Sequence, residues 1–212
     1  MDKRGKFIVI DGMDGSGKGT QIKLLQERLA DKGVLFTREP GGSPLGEEIR
    51  EILLRTEGNS RGPLADLFLF FASRASHVED TVTPARERGT HVISDRYASS
   101  TYAFQAYGEE KRELLPLFDA VMHSLDRAKY WPDLYLILDL PGEMAYERRR
   151  KDAAQAKSGF DLKPLAYHER TREGFKAFAK SYGPVEFVDA SRSPQEIHAD
   201  IWNIVAPMVG FK

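Results

Sequence analysis

A chain of 212 residues is long enough for one well-buried domain and short for two of ordinary size, and 41% hydrophobic with 30% charged residues excludes disordered and fibrous classes. With 31 Lys and Arg against 32 Asp and Glu, the net charge of −1 offers no global attraction to nucleic acid or an anionic membrane, so any anion site must be local. No cysteine is present, which rules out disulfides, thiolate metal sites and cysteine nucleophiles, and the longest apolar runs, such as Leu134 to Leu138, fall far short of the roughly 18 residues that span a bilayer.

Met1 to Lys6 leads directly into the first strand-like run, Phe7 to Ile10, and the expectation is a soluble, cytoplasmic protein. Next comes Gly12-Met13-Asp14-Gly15-Ser16-Gly17-Lys18-Gly19-Thr20, opening a helix in which Ile22, Leu25 and Leu29 recur at helical spacing. Glycines let a turn wrap its N–H groups around phosphate oxygens, the helix N-terminus adds donors, and Lys18 supplies a cation. This is the phosphate-loop pattern with one departure. Gly19 stands where Ser or Thr usually offers magnesium a hydroxyl, which here comes one residue later at Thr20. A carboxylate facing phosphate would repel it, so Asp14 is expected to point toward a sugar hydroxyl, a cation or solvent.

A second strand, Val34 to Thr37, runs into Thr37-Arg38-Glu39-Pro40-Gly41-Gly42 and a helix carrying Glu47, Ile49 and Arg50. In a parallel sheet Arg38 then shares an edge with the phosphate loop, with Arg50 one or two helical turns away, and two guanidinium groups could grip a monophosphate. The ordinary alternative for Arg50 is a surface pairing with Glu47. Leu67 to Arg74 follows, an apolar helical run in which Phe70 and Arg74 share a face, while Phe68 and Phe71 are expected in the core. A ring and a guanidinium on one face can stack on a base and donate to its carbonyl.

The third strand, His91 to Ser94, closes in Asp95-Arg96-Tyr97 and continues through Ala98 to Gln105. An aspartate ending a buried strand beside a phosphate loop is suited to hold magnesium, often through water, and Arg96 reaches toward the phosphates unless it pairs with Asp95 or a helix acid. Leu134 to Leu140 forms a fourth strand, the basic stretch Arg148 to Ser158 a mobile segment or a solvated helix end, and Phe175, Phe178 and Tyr182 mark a helix before the fifth strand, Glu186 to Val188. Strand and helix alternate, which predicts a parallel sheet covered on both faces with ligands at the strands' carboxyl ends.

Taken together these motifs resemble bacterial thymidylate kinases over nearly the whole chain, from the phosphate loop through Thr37 to Gly42, Phe70 to Arg74 and Asp95-Arg96-Tyr97 to Val188-Asp189-Ala190. The resemblance implies a P-loop NTPase-type α/β fold, a five-stranded parallel sheet flanked by helices, in one domain spanning 1–212 with a lid at about 148–163. It implies a homodimer that takes ATP and dTMP with Mg²⁺ and binds neither nucleic acid nor membrane. Gly12, Asp14, Gly15, Ser16, Gly17, Lys18, Gly19 and Thr20 would bind ATP, with the Val188 to Arg192 turn against adenine. Asp95 and Thr20 would serve the metal, directly or through water. Asp14 would bond the 3′-hydroxyl, Phe70 stack on thymine, Arg74 donate to the base carbonyl, Ser100 and Gln105 read the remaining base edge, and Arg38, Arg50 and Arg96 hold the monophosphate.

Where the family pattern runs Asp-Ser, this chain has Ser99-Ser100. Phe104 replaces a tyrosine near the sugar 2′ position and would still crowd a ribose hydroxyl. Ser158-Gly159-Phe160-Asp161 stands where a lid arginine often precedes an acidic helix start. The lid cation is then one of Arg148, Arg149, Arg150, Lys151 and Lys157, with Arg150 carried as the catalytic candidate beside Lys18, Asp95 and Arg96. Gly17 to Gln21 is also how adenylate kinases write this loop, and a nucleotide-binding protein without transfer is the reading from another class. The downstream motifs weigh against the first, and the loop departure gives the second its support.

Overall fold

The computed structural model describes residues 4–55, 61–155 and 163–211. Five strands, β1 (Phe7–Gly12), β2 (Val34–Arg38), β3 (His91–Asp95), β4 (Leu134–Asp139) and β5 (Val185–Asp189), form a parallel sheet in the order β2-β3-β1-β4-β5. β1 lies between β3 and β4, and all six of its residues are buried. A strand covered on both faces reads as a continuous apolar run, which is why Phe7 to Ile10 shows no alternation with polar residues.

Successive side chains of a strand point to opposite faces, and the core divides accordingly. Ile8 and Ile10 pack with Leu25 of α1 (Lys18–Arg28) and with Ile197 and Ile201 of α10 (Pro194–Met208). Phe7 and Val9 pack with Leu67 and Phe71 of α3 (Pro63–His77), Phe118 of α6 (Leu115–Ser124) and Phe178 of α9 (Leu165–Ser181). Each fully buried side chain of this kind contributes roughly 1.5–3 kcal/mol, so the two layers pin the sheet from both sides.

One placement in this fold differs from the sequence expectations. Phe68 is 52% exposed, whereas Phe71 is in the core as expected. One residue of helix advances about 100°, so the apolar run on α3 exceeds the width of the face that the sheet can cover. The basic stretch from Arg148 continues α8 (Gly142–Gln155) as far as Gln155, the solvated helix end that stood as the alternative to a mobile segment. Residues 156–162 of the expected lid, with Lys157 and Ser158 to Asp161, lie outside the described residues.

Parallel strands bring their carboxyl ends to one edge, and there β1 hands over to the glycine loop, β2 to Glu39 and Pro40, and β3 to Arg96. α2 (Pro44–Leu54) begins after Ser43, whose hydroxyl accepts from the Gly46 N–H, and packs beside α3. After β3 the chain makes one short helical turn (Ala98–Ser100) and a π-helical segment, Thr101–Gly108. That segment packs on α9 and carries Phe104 and Gln105 to the same edge. No helix among the described residues is long and apolar enough to cross a membrane.

Candidate active site

The glycine loop ends with Gly17 in the left-handed region, φ 82°, from which α1 starts. Gly15, φ 81°, lies so close to α8 that an added Cβ would meet the Ala145 carbonyl oxygen at 3.0 Å. Both positions favour glycine, one for its backbone and the other for backbone and space. A cavity here is lined by Met13 through Thr20 together with Arg96, Arg148, Lys151 and Asp152. Ser16 Oγ is buried with no hydrogen-bond partner among the described residues, and Thr20 is exposed.

Lys18 is nearly buried and its Nζ pairs with Asp95 Oδ1. Burial lowers its pKa, Arg96 lowers it further, and Asp95 opposes both. A buried cation held by one acid at the mouth of an N–H-lined loop is suited to an incoming anion.

A second cavity, of about 290 Å³, adjoins the first. Phe70, Arg74, Pro40 and Leu53 line one end, and Asp14, Arg96, Ser100, Phe104, Gln105 and Tyr167 line its walls. Asp14 and Arg96 line both cavities. Phe70 and Arg74, expected to share one face of a helix, both line this cavity. Arg74 is 1% exposed, yet its Nη1 has no hydrogen-bond partner among the described residues. Its Cζ lies 4.9 Å from the centre of the Tyr97 ring and 5.3 Å from that of Phe71, two ring contacts beside its ion pair with Glu39.

Arg96 adopts φ 69°, unusual for a residue with a side chain. Its N–H donates to Ile10 O at 3.0 Å and its carbonyl accepts from Ser94 Oγ at 2.9 Å, which fixes the turn. Nη1 donates to Gly12 O at 3.1 Å, Ser100 Oγ at 3.0 Å and Asp11 Oδ1 at 3.4 Å, and Nη2 donates to Asp14 Oδ1 at 2.6 Å. Burial works against the charge, but Asp11, Asp14 and Asp95 outweigh it and the pKa is raised. Arg96 therefore pairs with Asp11 and Asp14, and Asp95 is left to Lys18.

Arg38 donates to Glu47 Oε2 at 2.8 Å, and Arg50 donates to the Pro40 carbonyl at 2.8 Å. The surface partner considered for Arg50 thus belongs to Arg38. Arg50 has a lowered pKa, first from burial and next from Arg38, with Arg96 adding to the repulsion. Arg38, Arg50 and Arg96 thus lie within electrostatic reach of one another, with Glu47 paired to Arg38 and Asp11 and Asp14 paired to Arg96. Ser100 is at the wall, but its hydroxyl donates to Asp11 Oδ1 at 2.7 Å and accepts from Arg96, so its hydrogen is already committed.

Among the lid candidates, Arg148 reaches inward. Nη1 donates to Gly15 O at 3.1 Å and Nη2 to Ala190 O at 3.2 Å, so this one side chain bridges the glycine loop and the turn after β5. Arg150, the candidate carried from the sequence, instead pairs with Glu147 at 2.8 Å on the exposed side of α8 and does not line the cavity. Arg192 pairs with Asp200 and approaches Asp189, also away from the cavity lining.

Sequence reasoning left two residues of this region without a role. Asp11 is fully buried and accepts from Ser99 Oγ at 2.6 Å, Ser100 Oγ and the Gly12 N–H, so it anchors the segment after β3 to β1. An acid at the end of an apolar strand was the available signal. Tyr167 arrives from α9, and nothing in its local sequence marks it.

The thymidylate kinase family model matches residues 10–201. A curated thymidylate kinase of Nitratidesulfovibrio vulgaris is 41% identical over 94% of this chain and 95% of its own length. One from Cereibacter sphaeroides is 40% identical over 99% and 98%. Among solved structures, the crystal structure of thymidylate kinase from Ehrlichia chaffeensis superposes with a TM-score of 0.70 at 26% identity, covering 95% of this chain and 99% of that one.

Proposed function

The chain belongs to the thymidylate kinase family and transfers the γ-phosphoryl group of ATP to dTMP, giving dTDP and ADP, and we propose the following assignment of its residues to that reaction. dTMP occupies the cavity ending at Phe70 and Arg74, with the ATP phosphates on Gly12 to Thr20. The observation that carries this assignment is the sharing of Asp14 and Arg96 by the two cavities, since the phosphates that exchange the γ-group must meet at their junction.

Phe70 stacks on the thymine ring, and the unpartnered Nη1 of Arg74 donates to a base carbonyl. Asp14 accepts from the 3′-hydroxyl, and Phe104, whose ring lies 4.9 Å from Arg96 Cζ, fills the space a 2′-hydroxyl would need. Gln105 faces the remaining base edge, and Ser100 supports that wall through Asp11. Arg38, Arg50 and Arg96 hold the monophosphate.

A phosphate monoester has a second pKa near 6 and is largely dianionic at neutral pH, so the attacking oxygen of dTMP needs no base to remove a proton. What the protein must supply is alignment and charge neutralisation. Lys18 and the loop N–H groups hold the ATP phosphates, Arg96 sits at the junction, and Arg148 with Lys151 provides the cations of α8 nearest the loop. Closing the lid of this single domain would exclude water from the transfer.

Mg²⁺ fits the donor set. It prefers few protein oxygens together with water and phosphate, and Asp95 and the Thr20 hydroxyl supply hard oxygens at the loop although Gly19 supplies none. When bound, the ion would supply positive charge against the phosphate groups of ATP.

The working form is a homodimer in the cytoplasm. Leu45 on α2 with Leu64 and Phe68 on α3 are each about half exposed, an apolar surface on two packed helices suited to a second copy. A transfer assay with ATP and dTMP, dUMP, AMP or CMP tests the substrate assignment, with dTMP expected to be preferred and AMP preference counting against it. Sedimentation of Phe68→Lys tests the dimer face, with monomer expected and an unchanged mass refuting it.

A further inference from the structure

From the base end of the cavity, where Glu39, Arg74 and Thr101 line it, a buried chain of polar side chains runs back to His77 and Thr37. Arg74 donates from Nε to Glu39 Oε2 at 2.9 Å and from Nη2 to Thr101 Oγ1 at 3.0 Å. The other oxygen of Glu39 accepts from His77 Nδ1 at 3.0 Å, and His77 Nε2 lies 2.9 Å from Thr37 Oγ1. Glu39 is 5% exposed and His77 is fully buried.

Arg74 and His77 are three residues apart on α3 and so share a face, which lets them take one carboxylate oxygen each and hold Glu39 between them. An arginine side chain has several rotatable bonds, and a carboxylate on one edge fixes the guanidinium plane only if that carboxylate is itself fixed. Glu39 follows β2 in a loop, so its orientation needs a second anchor, and His77 supplies one that is tied in turn to Thr37 of β2. The loop also wraps the imidazole, since a Cβ on Gly42, φ 78°, would lie 2.5 Å from His77 Cδ2. His77 is not part of the cavity lining, so it touches no ligand placed there.

We propose that His77 is a positioning residue for substrate recognition: through Glu39 it sets the direction in which the free Nη1 of Arg74 meets the base. This rests on the assignment of the Phe70 and Arg74 cavity to dTMP, and the variants below separate the two. His77→Phe keeps bulk and removes both ring nitrogens, while His77→Asn restores a donor toward Glu39. Loss of one oriented hydrogen bond corresponds to about a tenfold rise in the KM for dTMP, with kcat and the KM for ATP changed less than about twofold.

Steady-state kinetics of these variants, and of Arg74→Ala alone and combined with His77→Phe, provide the test. The expected pattern is a raised dTMP KM in His77→Phe, recovery in His77→Asn, and no further rise when His77→Phe is added to Arg74→Ala. Unchanged KM values with a lowered melting temperature, or effects that add in the double variant, would overturn the positioning role. If Arg74→Ala itself left the dTMP KM unchanged, the assignment of the cavity would fail instead. Should His77→Phe not fold, Thr37→Val removes only the hydroxyl at Nε2 and is expected to raise the dTMP KM about twofold, with no change refuting the coupling.

Discussion

Replacing Arg96 by alanine and by glycine separates its chemistry from the strain of its backbone. Either change removes the guanidinium at the junction of the two cavities and with it the contacts to Gly12 O, Ser100, Asp11 and Asp14. A charged donor directed at developing phosphoryl charge is worth about 10²–10³ in turnover, or roughly 3–4 kcal/mol. Both variants should lose that much kcat while ATP binding, carried by the glycine loop and Lys18, weakens less. Stability divides them. Asp11 keeps donors from Ser99, Ser100 and Gly12 in both, so neither strands a buried carboxylate. At φ 69° alanine retains a left-handed strain of about 1–2 kcal/mol, which glycine removes, less the extra freedom glycine has when unfolded. The net advantage of glycine is about 0.5–1 kcal/mol, which in a chain of this length raises the melting temperature by roughly 1–4 °C. Coupled ADP-release kinetics, ATP titration calorimetry and thermal melts measure the three quantities. Turnover within about threefold of the parent would refute the role at the junction, and an alanine variant as stable as the glycine variant would refute the strain.

Phe70→Ala should raise the KM for dTMP about tenfold and leave that for ATP near its parent value, because stacking on a base is worth about 1–3 kcal/mol; equal rises would return the ring to a packing role. Gly19→Ser should fold with an unchanged melting temperature, since an added Cβ meets nothing within 4 Å and the residue has no positive φ. Its hydroxyl at the usual magnesium position should lower the Mg²⁺ concentration needed to stabilise the ATP-bound protein in thermal melts, and destabilisation without ligand would contradict the open space. His91, His168 and His198 all have pKa values held below the ordinary histidine range, first by burial. The unfolded chain then binds protons that the folded one refuses, so this stability is full above about pH 6.5 and declines as pH falls below it toward the folded values. Melts from about pH 7.5 to 5.5 should show that decline, flattened in His168→Phe, and a melting temperature that rises on acidification would reverse the sign.

Much of the site was legible because its chemistry is local in the chain. Gly12 to Thr20 carries the loop, the cation and the helix start within nine residues, and Asp95-Arg96 closes a strand whose apolar run is plain. The side chains of Phe70 and Arg74 meet on one face by helical geometry alone. Less legible was which of several similar residues a helix turns inward. Arg148, Arg149 and Arg150 are consecutive, and the phase of α8 against the glycine loop selects Arg148 while Arg150 faces Glu147. The same phase problem on α3 left Phe68 outside and Phe71 inside.

The amino-acid sequence by itself determined the strands, their alternation with helices and the loop that receives phosphate, since each depends on residues within a turn or two of one another. Tertiary structure alone decided the partners that arrive from distant segments: Tyr167 against Phe104, Arg148 across Gly15 and Ala190, and His77 behind Glu39. The physical reason is that backbone dihedrals and side-chain spacing act along the chain, whereas the rotation and approach of one helix against another are fixed only when the whole core packs around the sheet.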